Sequence, residues 1–335
     1  MALNSSGMQT LVPYLAGSGR GPWVSGVNRY QRVRPVHERQ RYSTLIPIET
    51  IAMNCDRTRT TLDTAADWVV PPIRLGPVDA ARPETVSLVE RKLTALGVTT
   101  RPLVVDAADY HRYLDRARYQ ERWPEYFPTN LPEKSLEHYL AIQLLQPVRH
   151  DRFLDIAAGN SPLAEIVEGL VGCEAYAQDL IFSPGVHGRY VGGDACALPF
   201  EAGSISKAAL TCSFEHFEGD ADIRLFTELS RVLCGGGKVV VVPLYLNSYH
   251  AIQVDPRAYS EPLRVDPSCV VHLAPGWGNR HGRFYSPESL LEPITLRFST
   301  CFHFQLYRVV NTESLSPEIY VRWALLAEKI GRAHV

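Results

Sequence analysis

The stretch Arg152-Phe-Leu-Asp-Ile-Ala-Ala-Gly-Asn-Ser-Pro162 decides how the rest of the chain is read. Its first five residues, Arg152 to Ile156, are a short apolar run interrupted by one acid, which reads as a buried strand. Small residues at 157, 158, 159 and 161 follow, and they let backbone come close to a ligand. Pro162 suits the first turn of a helix, where a missing N–H costs nothing, and the helix is expected over Pro162 to Leu170. Free N–H groups at that helix start favour a carboxylate or a phosphate. A strand, a tight turn of small residues and a helix open a parallel βαβ unit.

The same alternation continues on both sides. Glu174 to Gln178, Ile205 to Thr211 and Lys238 to Pro243 read as strands, and Ile223 to Leu233 as a helix closed by Gly235-Gly-Gly237. Upstream, Ser135 to Leu145 reads as an amphipathic helix with Ser135 as its N-cap and Pro147 as its stop. Strands separated by helices mean a doubly wound, Rossmann-like, mostly parallel α/β sheet with right-handed crossovers. Phe302 to Val310 and Tyr320 to Glu328 are apolar stretches joined by a polar turn, an antiparallel C-terminal hairpin. Pro83 to Leu96 is a helix ended by Gly97, Pro102 to Val105 a short strand, and Asp106 to Tyr119 a helix. The face of that last helix (Tyr110, Tyr113, Leu114, Ala117) reads as packing. Asn247 to Leu291 is loop-rich and too long for a plain connection, so a lid or binding loop is expected there.

This divides the chain into a flexible basic arm (1–42), an N-terminal α-rich substrate or cap region (43–134) and the doubly wound domain (135–329). The last residues, Ile330-Gly-Arg-Ala-His-Val335, read as a translated sequencing adapter, so the chain is expected to continue past Lys329.

Composition bounds the function. Across 335 residues, 45% are hydrophobic and 21% charged, enough for a large core and against global disorder. A net charge of −2 argues against a whole-chain nucleic-acid footprint. The arm carries six arginines against one acid, Glu38, and reads as a solvated basic tail. Seven cysteines without a CxxC pair give no disulfide framework and no zinc site, and no metal is expected. Without a signal peptide, and with the longest apolar run (Val239 to Leu246) about half of a bilayer span, no membrane partner is expected and the location is read as cytoplasmic.

Ligands of such sheets bind beyond the carboxyl ends of the strands. Asp155 lies at the end of the first. Asp179, 24 residues on, ends the second and can accept two hydrogen bonds from a ribose diol. Gly193-Asp-Ala-Cys-Ala-Leu-Pro-Phe200 follows the third, where Asp194 can meet the exocyclic amine of a purine. Cys212-Ser-Phe-Glu-His-Phe217 follows the fourth.

Together these segments resemble the class I S-adenosylmethionine-dependent methyltransferases, in the small-molecule, type 11-like group, over about Leu136 to Lys329. Phe153-Leu-Asp-Ile-Ala-Ala-Gly-Asn-Ser is similar to that family's Asp-x-Gly-x-Gly-x-Gly motif, Phe214-Glu-His-Phe to its fourth-strand element, and Leu229-Ser-Arg-Val-Leu-Cys-Gly-Gly-Gly-Lys to its element before the fifth strand. Ala157 and Ser161 stand where the first and third glycines would be, and Cys234-Gly235 replaces a residue-plus-proline pair. The resemblance implies a seven-stranded sheet and S-adenosyl-L-methionine as cofactor, with its carboxylate over the backbone of 159–161. Asp155 would reach its ammonium, Asp179 its ribose and Asp194 its adenine, with Ala157, Gly159, Asn160, Ser161, Leu180, Ala195, Cys212 and Ser213 lining the site. Methyl transfer from a sulfonium needs positioning first and a base only for a poorly acidic acceptor. His216 is the first candidate base, followed by His250, His272 and His281.

The expected partner is a small-molecule or glycan-type acceptor, methylated on oxygen or nitrogen, in a pocket using Tyr110, Tyr113, Trp123, Tyr126, Phe127 and Trp277. Two alternatives stand beside this reading. An NAD(P)-dependent oxidoreductase wants Gly-x-Gly-x-x-Gly, which Ala157-Ala-Gly-Asn-Ser-Pro162 does not supply. A binding module that holds the cofactor without chemistry shares the same fold.

Overall fold

The computed structural model describes residues 44–46, 71–257, 263–266 and 268–331. The basic arm 1–42, Cys55 and the last four residues of the tail lie outside the described residues. In chain order the strands are β1 Thr44–Ile46, β2 Ile73–Leu75, β3 Thr100–Leu103, β4 Arg152–Ile156, β5 Glu174–His187, β6 Tyr190–Gly192, β7 Ile205–Thr211, β8 Leu233–Val242, β9 Ala251–Val254, β10 Leu263–Val265, β11 Val270–Leu273, β12 Gly282–Phe284, β13 Phe302–Val309 and β14 Trp323–Lys329. The helices are α1 Pro83–Ala95, α2 Ala107–Ala117, α3 Tyr119–Arg122, α4 Leu131–Leu145, α5 Leu163–Val171, α6 Ala221–Val232 and α7 Pro287–Leu290.

The chain divides into two compact units: one of residues up to Val78 with Ala251–Arg283, the other of Asp79–His250 with the chain from Phe284 on. These boundaries differ from those drawn at 42 and 134, because α1, α2 and β3 pack with the doubly wound sheet. In the smaller unit β11 pairs in parallel with β9 and β2, β1 pairs antiparallel with β10, and Ile252, Val254, Val271 and Leu273 form a core. The stretch 247–291 is therefore not simply the loop expected. Its strands are three or four residues long, and Ala251–Val254 is buried at every position. Segments that short show no period that sequence reading can catch.

The larger unit holds an eight-stranded sheet in the order β3-β13-β14-β8-β7-β4-β5-β6. β5, β4, β7 and β8 run parallel, and β14 inserts antiparallel between β8 and β13. The doubly wound sheet and its C-terminal hairpin are as expected. The eighth strand is β3, parallel to β13, added by the N-terminal extension. Alternation along the strands assigns the two faces. Phe153, Ala177, Ala209, Val240 and Val242 pack toward α2, α4 and α5, while Leu154, Ile156, Leu210, Val239 and Val241 pack toward α1 and α6. Burial on both faces is why these strands read as continuous apolar runs.

Three local readings change. Helix α4 begins at Leu131, not at Ser135, because Pro132 occupies its first turn. Ser135 sits one turn inside, and its hydroxyl donates to the Leu131 carbonyl at 2.6 Å. The helix is not amphipathic in its surroundings either, since Glu133, Lys134, Glu137 and His138 are buried along with Leu136 and Leu140. Gly235-Gly-Gly237 lies within β8 and does not close α6. After Asp179, β5 continues to His187, and Pro184–His187 pairs with β6 a second time in place of a crossover helix. Gly192 is required there: a Cβ would collide with the Ser183 and Phe182 carbonyl oxygens. Among the described residues no helix is long and apolar enough to cross a membrane.

Candidate active site

The parallel register aligns three acids at one edge of the sheet. Asp155 pairs with Ala177 and Asp179 with Gly192, and Asp194 follows β6 by two residues. Asp155 is fully buried, and neither carboxylate oxygen has a hydrogen-bond partner among the described residues. Burial raises its pKa to about 7, opposed by the nearby Ser161 hydroxyl and reinforced by the charge of Asp179. Asp179 is half-buried. Its Oδ2 accepts the Gly159 N–H at 2.8 Å and its Oδ1 the Ile181 N–H at 3.1 Å, so one carboxylate fixes the turn after β4 and its own strand end.

That turn is tight. Ala157 (φ 52°) and Gly159 (φ 54°) are both left-handed, a conformation that costs alanine roughly 1–2 kcal/mol. The Ala157 N–H donates to Gln178 Oε1 at 3.2 Å, and Gln178 Nε2 donates to the Gly193 carbonyl at 2.6 Å. Gln178 thus ties the loops after β4 and β6 together. Sequence reading missed it, because a glutamine one residue before an acid carries no motif. Asn160 is exposed, Ala195 is buried, and Leu180 stands 54% exposed beside Asp179. Asp194 Oδ1 accepts the Cys196 N–H at 2.9 Å, and its Oδ2 lies 3.6 Å from Arg224. Ser213 donates to the Ile156 carbonyl at 3.2 Å, joining the ends of β7 and β4, and Cys212 before it is left-handed (φ 50°).

The aromatic face of α2 is packing, as expected, but packing with a hydrogen-bonded path. Tyr113 and Tyr119 share a bond of 2.5 Å, Tyr119 meets His138 Nδ1 at 2.7 Å, and His138 Nε2 meets Ser161 Oγ at 3.2 Å and Tyr126 at 3.1 Å. Burial, with Lys134 nearby, lowers the His138 pKa to about 3, so its ring is neutral and can both donate and accept. The path ends on the turn after β4.

Beside that turn lies a polar cluster of which the sequence motifs include only Cys212 and Glu215. Lys134 Nζ donates to Glu137 Oε1 at 2.9 Å, and both side chains are buried. Cys212 Sγ donates to Glu215 Oε1 at 3.3 Å and lies 3.6 Å from the Tyr245 hydroxyl. Glu133 Oε2 accepts the N–H groups of Tyr320 and Val321. Burial raises the Glu137 carboxyl well above the usual range and raises Glu133 to about 7.

The candidate bases are dispersed. His216 is part-exposed, 3.6 Å from Glu215 Oε1, and His250 stacks on Tyr285. His272 and His281 belong to the smaller unit, where His272 Nδ1 lies 3.0 Å from the Gly76 carbonyl. Among the described residues no three His, Cys, Asp or Glu side chains are grouped to hold a metal.

A buried carboxylate without a partner is costly to keep ionised. Asp155 therefore fits a cationic group delivered at the end of β4, as the ammonium of an amino acid would be, and the small-residue turn leaves its backbone close at hand. The strand order and this edge define the fold of a class I S-adenosylmethionine-dependent methyltransferase, whose cofactor is S-adenosyl-L-methionine. Residues 154–241 match a family described as a methyltransferase domain. A search of curated proteins found no match. Among solved structures, the chain is similar to 1,6-didemethyltoxoflavin-N1-methyltransferase of Burkholderia thailandensis, bound to 1,6-didemethyltoxoflavin and S-adenosylhomocysteine (16% identity, 70% of this chain and 93% of that one, TM-score 0.41). It is also similar to YcgJ of Bacillus subtilis (15% identity, 59% and 99%, TM-score 0.37). A third is phosphoethanolamine N-methyltransferase 2 of Haemonchus contortus with S-adenosyl-L-methionine (12% identity, 65% and 60%, TM-score 0.37).

Proposed function

We propose that this protein transfers a methyl group from S-adenosyl-L-methionine to the oxygen or nitrogen of a small-molecule or glycan-type acceptor. The observation that carries the reading is Asp155, a buried carboxylate with no partner, set against a turn whose backbone is clamped by Asp179. Asp155 receives the ammonium of the cofactor, and the backbone of Gly159 to Ser161 its carboxylate. Asp179 keeps lone pairs free for the ribose hydroxyls after accepting one N–H on each oxygen. Asp194 and the Ala195 backbone face the adenine, with Leu180 against its ring. Cys212 and Ser213, after β7, border the methyl end. Bound there, S-adenosyl-L-methionine supplies an electrophilic methyl on a sulfonium. The chain's task is then to hold the acceptor in line with it, worth up to roughly 7–11 kcal/mol of barrier. His216 is the base for a hydroxyl acceptor, reached from the segment after β7.

Calorimetry tests the reading. S-adenosylhomocysteine is expected to bind with micromolar affinity or tighter, and NAD not to bind. Release of S-adenosylhomocysteine with some member of a metabolite panel separates an enzyme from a non-catalytic binding module. Binding of NAD in its place removes the proposal.

A further inference from the structure

The cluster beside the turn is unbalanced in charge, and the imbalance points to the acceptor. Glu137 and Glu215 are buried, with one oxygen of each engaged: Glu137 Oε1 by Lys134, Glu215 Oε1 by Cys212. The other oxygen of each, Oε2 in both, is buried with no hydrogen-bond partner. The charge of Glu215 acts on Glu137, Lys134 is the buried cation paired with Glu137, and the part-exposed His216 lies 3.6 Å from Glu215 Oε1. Glu133 adds a third carboxyl, held by two backbone N–H groups and opposed by Arg322. Buried carboxylates outnumbering their cations are costly unless something supplies the missing charge.

The location is suited to an acceptor. Glu215 and Cys212 follow β7, Tyr245 follows β8, and Lys134 and Glu137 come from α4 above the same sheet edge. His138, next to Glu137 on α4, reaches Ser161 in the turn after β4 at 3.2 Å and Tyr126 at 3.1 Å, so the cluster adjoins the proposed cofactor site. Phe127, whose ring lies 5.3 Å from Lys134 Nζ, is 41% exposed and marks where the cluster meets the surface.

We propose that Glu137 and Glu215 form the acceptor subsite and that it takes a primary or secondary amine, entering as an ammonium. This rests on the methyltransferase reading above and names its substrate class. Two open carboxylate oxygens match an ammonium, which donates and never accepts. Burial favours the protonated form of Glu137 in the empty site, and an ammonium favours its ionisation, whereas a carboxylate or phosphate acceptor opposes it and a neutral alcohol does neither. For transfer, the ammonium gives one proton to a glutamate, which passes it to solvent. The free nitrogen pair then bonds to the methyl carbon as the carbon–sulfur bond breaks, leaving a methylated ammonium and S-adenosylhomocysteine.

The test uses the full chain, free and saturated with S-adenosylhomocysteine, with probes matched in skeleton: benzylamine and benzyl alcohol, cyclohexylamine and cyclohexanol, spermidine and a polyol of similar length. Binding is read by calorimetry and turnover by release of S-adenosylhomocysteine. At least one amine is expected to bind at least tenfold tighter than its alcohol. Glu215→Gln and Glu137→Gln are each expected to abolish that preference while S-adenosylhomocysteine affinity stays within twofold. Glu215→Gln should melt no lower than wild type, which shows that it folds. Equal binding of amines and alcohols, including no binding of either, overturns the proposal, as does a preference that survives both variants. Loss of S-adenosylhomocysteine binding in the wild type would strike the cofactor reading instead, and the amine preference of the free protein is read independently of it.

Discussion

The edge formed by Asp155, Asp179 and Asp194 and the cluster around Glu137 and Glu215 adjoin one another, yet they are built differently. At the edge each acid lies on or just after its own strand, and a local bond helps to hold two of them: Asp179 to Ile181, Asp194 to Cys196. In the cluster the partners come from α4, from the loops after β7 and β8, and from the segment before β14. Both regions bury carboxylates that lack partners. One is built from the register of three neighbouring strands. The other exists only once α4, β7, β8 and the segment before β14 have come together.

Four measurements sharpen or break that contrast. Asp155→Asn should weaken S-adenosylhomocysteine binding about a hundredfold, since it leaves a bound ammonium without its charge partner, a loss of about 3 kcal/mol. A change below threefold would make Asp155 structural. His138→Leu should cost about 2 kcal/mol of stability in denaturant melts, because Tyr119, Tyr126 and Ser161 each lose a partner. It should move cofactor affinity by less than the Asp155 change, and the reverse order would mean that the path through His138 governs the turn.

Asp179→Ala should weaken binding at least tenfold, about 1.4 kcal/mol, by releasing the Gly159 N–H and removing the ribose acceptor. Unchanged affinity removes Asp179 from the site. The fourth effect is in pH. The folded chain holds a proton on Asp155 up to about pH 7, whereas the unfolded carboxyl releases it near 3.8. The folded state thus binds more protons across that window, and the contribution of Asp155 to stability falls as pH rises from about 4 to 7. The wild-type minus Asp155→Asn stability difference should decline over that range. Cofactor affinity should rise over the same range, because the ionised carboxylate is the form that pairs with an ammonium. A flat profile for both would contradict a carboxyl with a raised pKa.

Much of the edge was legible in the chain. Arg152–Ile156, Ile205–Thr211 and the apolar part of β8 are buried on both faces, so their apolar runs declare them, and Asp155 lies one residue before the end of the first; Asp179, read as a strand end, lies within β5, which runs on to His187. The hairpin of β13 and β14 was equally plain from two apolar stretches around a polar turn. What could not be read was set by distance in sequence. Glu133, Lys134, Glu137 and His138 on α4 look like the polar side of a surface helix, and only partners elsewhere in the chain, Tyr119, Tyr126 and Ser161 for His138 and the Tyr320 and Val321 N–H groups for Glu133, show that this side is covered. The second pairing of β5 with β6 after Asp179 was hidden for another reason: Gly192 permits the close approach, and a lone glycine in a strand carries too little signal to predict that. The strands between Ala251 and Phe284 are three or four residues long, below the length at which alternation becomes visible.

The central claim is that one adenosyl amino acid lies along the ends of β4, β5 and β6. A crystal structure of the protein soaked with S-adenosylhomocysteine tests it most directly. The account predicts the amino group within hydrogen-bond distance of Asp155, the ribose diol on Asp179 and the adenine beside Asp194. Density for the ligand elsewhere, with Asp155 still unpartnered, would contradict it.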